Sequence, residues 1–107
     1  MAAEALNRGN IDDNRARNYL NRVRERAFGN SDNNVSTSGA SLTSDIYHER
    51  RVELVGEGHR FFDLVRTGRA TAELGDQGFQ AGKNEILPIP QTELDITEGN
   101  LKQNPGY

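Results

Sequence analysis

The stretch Ile46-Tyr47-His48-Glu49-Arg50-Arg51-Val52-Glu53-Leu54-Val55-Gly56-Glu57-Gly58-His59-Arg60-Phe61-Phe62-Asp63-Leu64-Val65-Arg66 sets charges of both signs among large apolar residues at helical spacing. Glu49 and Glu53 fall on one helical face, as do Arg50 and Glu53, and Glu57 and Arg60, while Asp63 and Arg66 stand three apart. Gly56 and Gly58 interrupt the pattern, so it divides into two helices. The first is expected from Ile46 to about Val55 behind a cap at Ser44 or Asp45. The second runs from about His59 to Thr67 and stops at Gly68. Exposed ion pairs of this kind contribute roughly 0.3–0.5 kcal/mol each. Set partly against Leu54, Phe61, Phe62 and Val65, they fix register and are costly to break singly. Glu49, Arg50, Glu53, Glu57, Arg60, Asp63 and Arg66 are therefore expected to form a structural ion network at a core edge rather than a binding site.

On the amino-terminal side, Ala2, Ala3, Ala5 and Leu6 give a short apolar stripe that stops at Gly9 and Asn10. Asp12 or Asp13 then caps a helix whose apolar residues Ala16, Leu20, Val23 and Ala27 recur at i, i+4, i+7 and i+11, with Tyr19 beside them. Together, residues 2–27 make a helical hairpin. Arg15, Arg17, Arg22, Arg24 and Arg26 occupy its other faces, read here as solvated. Residues 28–43 are rich in Asn, Ser and Gly without period, which predicts a mobile loop. The signature helices then span 44–75, with one further turn at 69–75. Residues 76–107 are expected to be irregular. Within them, Leu87-Pro88-Ile89-Pro90 must be extended, and Gln91 to Ile96 form a short helix started by Pro90. No strand hairpin is apparent, and the fold class is all-α with long irregular loops.

Composition narrows the function classes. The chain has 107 residues, no cysteine and 34% apolar residues. One small domain with a thin core follows, burying about 65% of its unfolded surface. Disulfides, thiolate metal sites and cysteine nucleophiles are excluded. The net charge of -3 divides as +1 over residues 1–40, -1 over 41–67 and -3 over 68–107. No one-signed block supports a nucleic-acid track, and the helix arginines lack an aromatic platform beyond Tyr19. His48 and His59 make a poor zinc site without further ligands, so no metal and no cofactor are expected. Gly56-Glu57-Gly58 follows a helix rather than a strand, and Phe61 stands where a dinucleotide loop needs its third glycine. No Ser-His-Asp or paired-carboxylate grouping emerges, and the chain is not expected to be an enzyme. No apolar run spans a membrane. Met1-Ala2-Ala3-Glu4-Ala5-Leu6 reads as the interior of a helix, so a piece of a longer polypeptide is expected.

Read as a pattern, Ile46, Glu49, Arg50, Glu53, Leu54, Glu57, Gly58, Arg60, Asp63, Leu64, Arg66 and Gly68 resemble the carboxy-terminal signature of the SusD/RagB outer-membrane nutrient-binding lipoproteins. Leu87-Pro88-Ile89-Pro90 with Glu93 is similar to that family's PIP segment, and Gln103-Asn104-Pro105-Gly106-Tyr107 to its ending. Residues 3–7 and 16–27 resemble its last tetratricopeptide-like hairpin. The resemblance implies the carboxy-terminal segment of a cell-surface protein, lipid-anchored to the outer membrane, that binds glycans or other nutrients and works with a SusC-like TonB-dependent transporter. The lipid-acceptor cysteine would lie outside this stretch. The family's glycan-contacting residues lie elsewhere, so the ligand-binding residues stay unknown and the segment is expected to be mainly structural. The alternative is a free-standing tetratricopeptide-like protein-interaction module.

Overall fold

Helix α1 spans Ala2–Arg8 and α2 spans Asp13–Phe28, the hairpin the apolar spacing predicts, in a computed structural model that describes all residues 1–107. The turn between them depends on close approach. Gly9 itself is right-handed at φ -76, but a Cβ there would stand 2.8 Å from the Ala5 carbonyl oxygen. Asn10 carries the left-handed step at φ 51. The Asp12 carboxylate accepts the Arg15 amide at 2.9 Å and caps α2, while Gly29 closes its far end in the left-handed region.

Helix α3 spans Gly39–Glu53, several residues earlier than a Ser44 or Asp45 cap implies. The cap comes through space. Asp13, on α2, accepts the Gly39 amide at 2.6 Å, and its other oxygen accepts the Asn7 side-chain amide at 2.8 Å. Buried Asn7 also donates to the Gly39 carbonyl and accepts the Thr43 hydroxyl, so one amide ties α1, α2 and α3 together. Ser44 turns its hydroxyl back onto the Ala40 carbonyl at 3.2 Å, the usual accommodation of serine inside a helix. The loop is thereby shortened to residues 29–38.

Those residues are strapped to α2. Arg17 donates to the Thr37 carbonyl at 2.8 Å and Arg24 to the Asn33 carbonyl at 2.6 Å. Asn21 meets both backbone groups of Val35, donating at 3.0 Å and accepting at 2.9 Å. Every second residue of an extended segment advances about 6.6 Å, close to the rise of about 4.5–6 Å over three or four helical residues. The loop read as mobile is tied to the helix by three polar residues of α2, and the reading of a solvated arginine face is corrected at Arg17 and Arg24, while Arg15, Arg22 and Arg26 are exposed as read.

The core of this unit, Met1–His59, is Ala3, Ala16, Leu20, Leu42 and Ile46, with Leu6 and Val35 packed on it. Ala27, at the end of the predicted apolar stripe, is exposed.

The second unit, Arg60–Tyr107, carries α4 (Arg60–Arg66), α5 (Ala70–Leu74) with a 3-10 turn at Gly75–Gln77, and α6 (Gln91–Ile96). Leu64 and Ala70 are its buried apolar residues. Ile89 is the one residue of Pro88-Ile89-Pro90 with a backbone N–H, and Gln103 accepts it at 2.8 Å while donating to the Ile89 carbonyl at 2.9 Å. Asn104 donates to the Leu87 carbonyl at 2.6 Å and the Tyr107 hydroxyl to the Ile86 carbonyl at 3.1 Å. The two motifs that stand apart in the sequence are thus one backbone clasp, with the tail residues supplying the ladder that the extended segment lacks.

Two N–H bonds hold the Asp13 carboxylate below its ordinary value of 3.8, first from the Gly39 backbone amide, then from the Asn7 side-chain amide. A lowered carboxylate contributes stability that is present above the unfolded value and lost as pH falls through the folded one. Asp13→Ala should therefore lower the melting temperature at pH 7 and flatten the acid limb of a melting-temperature profile below pH 4. An unchanged acid limb counts against the Asp13 cap as a stabilising contact.

Candidate functional site

The charged residues of residues 46–66 are distributed between the two units. Glu49 points from α3 to Arg24 of α2 at 2.5 Å, with side-chain exposures of 9% and 18%. Arg24 also lies over the Phe28 ring, 5.6 Å from its centre. Glu53 pairs with Arg26, where both side chains are open to solvent. Arg50 donates to the Met1 sulfur at 3.2 Å. Glu57 lies 3.8 Å from His59. In the second unit, Arg66 donates to Asp63 at 2.7 Å and Arg60 to Glu73 at 2.6 Å, with Arg69 on the other side of Glu73 at 3.6 Å. The spacing of Asp63 and Arg66 is realised as read. Glu49, Glu53 and Arg60 instead reach partners outside the stretch, which no local periodicity signals.

This arrangement is chemically quiet. Every fully buried side-chain nitrogen and oxygen has a hydrogen-bond partner, and no three metal-ligating side chains converge. His48 is exposed on α3.

Two concavities carry large apolar or aromatic side chains in their lining. One, of about 320 Å³, is a groove of α1, α2 and α3 floored by Ala3, Tyr19, Leu20, Val23, Ile46 and Leu54. The other, of about 350 Å³ in the second unit, is bounded by Phe61, Phe79, Leu87 and Tyr107, with the Asn84 side chain at its edge. Phe61 and Phe79 are 6.3 Å apart, and the Lys83 ammonium sits 4.8 Å from the Tyr107 ring centre. The first concavity lies along the helical hairpin read from the apolar spacing, whereas the second, lined by residues between Phe61 and Tyr107, had no local signal. No helix is long and apolar enough to cross a membrane.

The family model for the SusD family matches residues 1–107. Among curated relatives, the chain is 33% identical to SusD-like protein P2 and 36% identical to SusD-like protein P25, both of Formosa agariphila. The alignments take in 100% of this chain but 24% and 23% of those proteins, so it spans about a quarter of their length, at their carboxy-terminal part. Among solved structures, a laminarin binding SusD-like protein superposes on 98% of the chain with a TM-score of 0.74 and 47% identity, over 20% of its own length. Surface glycan-binding protein A from Bacteroides thetaiotaomicron superposes on 97% with a TM-score of 0.75 and 36% identity, over 22% of its length. With a whole-chain family match and the same helical arrangement in homologous structures, the chain belongs to the SusD family.

Proposed function

We propose that these 107 residues are the carboxy-terminal segment of a cell-surface, outer-membrane SusD-like protein that binds a glycan and works with a SusC-like TonB-dependent transporter, the segment itself serving as a scaffold. The observation that carries the reading is the 47% identity to a laminarin binding SusD-like protein over 98% of the chain. The scaffold role is supported by how the polar residues are used. Glu49, Asp63, Asn7, Gln103 and Asn104 each meet another side chain or the backbone of the same unit, which leaves them committed to the fold. Glu49, Arg50, Glu53, Glu57, Arg60, Asp63 and Arg66 accordingly act in folding rather than in glycan contact.

Affinity electrophoresis in gels cast with laminarin or other glycans tests the proposal. A full-length SusD-like protein carrying this segment should be retarded by at least one glycan and should stay retarded when Glu53 or Arg60 is replaced by Ala. Loss of retardation in either variant with the melting temperature unchanged refutes the scaffold role. A pull-down that recovers one discrete soluble protein on the 107-residue chain, with no glycan binding in the full-length form, favours the free-standing interaction module.

A further inference from the structure

The concavity of the second unit is built from rings and amides. Phe61 of α4 and Phe79, just past the 3-10 turn, stand 6.3 Å apart, and Leu87 and Tyr107 complete the apolar wall. Phe61 is 38% exposed and Tyr107 44%, so ring surface is open to a ligand. The Tyr107 ring is held in place. Its hydroxyl donates to the Ile86 carbonyl at 3.1 Å, and the tail passes so close to Lys83 that a Cβ at Gly106 would stand 3.0 Å from the lysine stem. Asn84 is half-buried at the edge. Its side-chain oxygen accepts the Gln80 backbone amide at 2.6 Å, while its two N–H donors have no acceptor within the chain. Gln77 adds a second, exposed side-chain amide, and no charged side chain lines the space. Rings beside unspent amides, without charge, match a neutral pyranose. Its C–H face is apolar and suits the electron-rich face of an aromatic ring, and its rim of hydroxyls needs donors and acceptors. The volume of about 350 Å³ lies at the small end of ligand pockets. A peptide strand finds no free edge here, because the Leu87 carbonyl and both backbone groups of Ile89 are already taken by Asn104 and Gln103. We infer that the second unit carries a subsite for a neutral sugar ring, which lies against the Phe61, Phe79 and Tyr107 rings and is hydrogen-bonded by Asn84 and Gln77. The inference rests on the glycan-binding reading above and adds one contact surface to a segment whose ion pairs and clasp are committed to the fold.

One sugar ring in such a site should bind with a Kd on the order of 1–10 mM. Amide-resolved NMR titrations of the 107-residue chain with laminarihexaose, maltohexaose and xylohexaose, all neutral, read it directly. At least one of them should give saturating shifts at Phe61, Gly78, Phe79 and Asn84. Phe79→Leu keeps an apolar side chain without the ring. Asn84→Asp keeps the acceptor for the Gln80 amide but loses the N–H donors. Each should weaken binding by at least about threefold. Val23→Ala, in the groove of the first unit, should leave it unchanged. No saturating shift with any of the three sugars, or shifts confined to the first unit, overturns the inference. So does unchanged affinity in both Phe79→Leu and Asn84→Asp when their spectra stay dispersed. Should the short chain give no dispersed spectrum, calorimetric titration of the full-length protein to tenfold beyond that Kd replaces it. A second, weak site that Asn84→Asp removes supports the subsite, and identical titrations refute it. A full-length protein retarded in a glycan gel, with a silent second unit, sinks the subsite alone, whereas no retardation by any glycan sinks the glycan-binding reading and the subsite with it.

Discussion

Leu42→Ala should remove most or all of the cooperative folding of residues 1–59. Leu42 is fully buried, surrounded by Ala3, Ala16, Leu20 and Ile46. Two of these four neighbours are alanines, with little freedom to collapse into the space left. Truncating a leucine in such a site costs about 2–5 kcal/mol. A unit of this size is stable by about 3–9 kcal/mol in total. The substitution therefore consumes a large share of the margin, and thermal melting followed at 222 nm should show a broadened, strongly lowered transition. Leu42→Met keeps the volume and should cost less than about 1.5 kcal/mol. A loss below about 1 kcal/mol for the alanine variant would mean that the three-helix core is not organised around this side chain.

Arg24→Ala has the next largest expected effect. It strands the Glu49 carboxylate, 9% exposed, against an apolar surround, and also releases the Asn33 carbonyl and the Phe28 ring. Removing one partner of a largely buried pair costs about 2–4 kcal/mol here. Glu49→Ala should cost less, because Arg24 keeps the Asn33 carbonyl and the edge of solvent. Replacing Arg24 and Glu49 together by Met should recover part of the loss. Arg26→Ala, whose pair with Glu53 is open to water, should change stability by about 0–1 kcal/mol. Chemical denaturation of the four variants reads all of these, and equal losses for Arg24→Ala and Arg26→Ala would contradict the burial argument.

What could be read from the chain follows from the range of each interaction. Ala16 and Leu20 are where a 3.6-residue period places a buried stripe, and the glycines and prolines from Gly56 to Pro90 punctuate the short helices α4, α5 and α6 at nearly the positions read. The start of α3 was not legible, because its amide partner Asp13 lies 26 residues away, and the Ser44-Asp45 pair nearer the signature offered local caps. The partners of Glu49 and Glu53 were invisible for the same reason. An arginine on a helix surface looks solvated until the packing angle of the next helix is known. Of the candidate site, the family pattern was legible as a label, while its physical content, a set of ion pairs and a backbone clasp, needed the fold. Half of the groove's floor, Tyr19, Leu20 and Val23, lies on or beside the apolar stripe of α2, but that α3 adds Ile46 to it needed the fold.

The strapping of residues 29–38 to α2 makes the length of that loop a question of parity. Arg17, Asn21 and Arg24 engage residues 37, 35 and 33, all on one side of an extended backbone, and side-of-chain alternates with every residue. One residue inserted after Asn34 turns the wrong groups toward α2 for everything upstream of it, whereas two residues restore the phase at the cost of a small bulge. A single glycine inserted there should lower the melting temperature more than a pair does, and the reverse order would show that the loop is held by its ends alone. Loops of this type are thus free to drift in sequence yet grow or shrink in even steps.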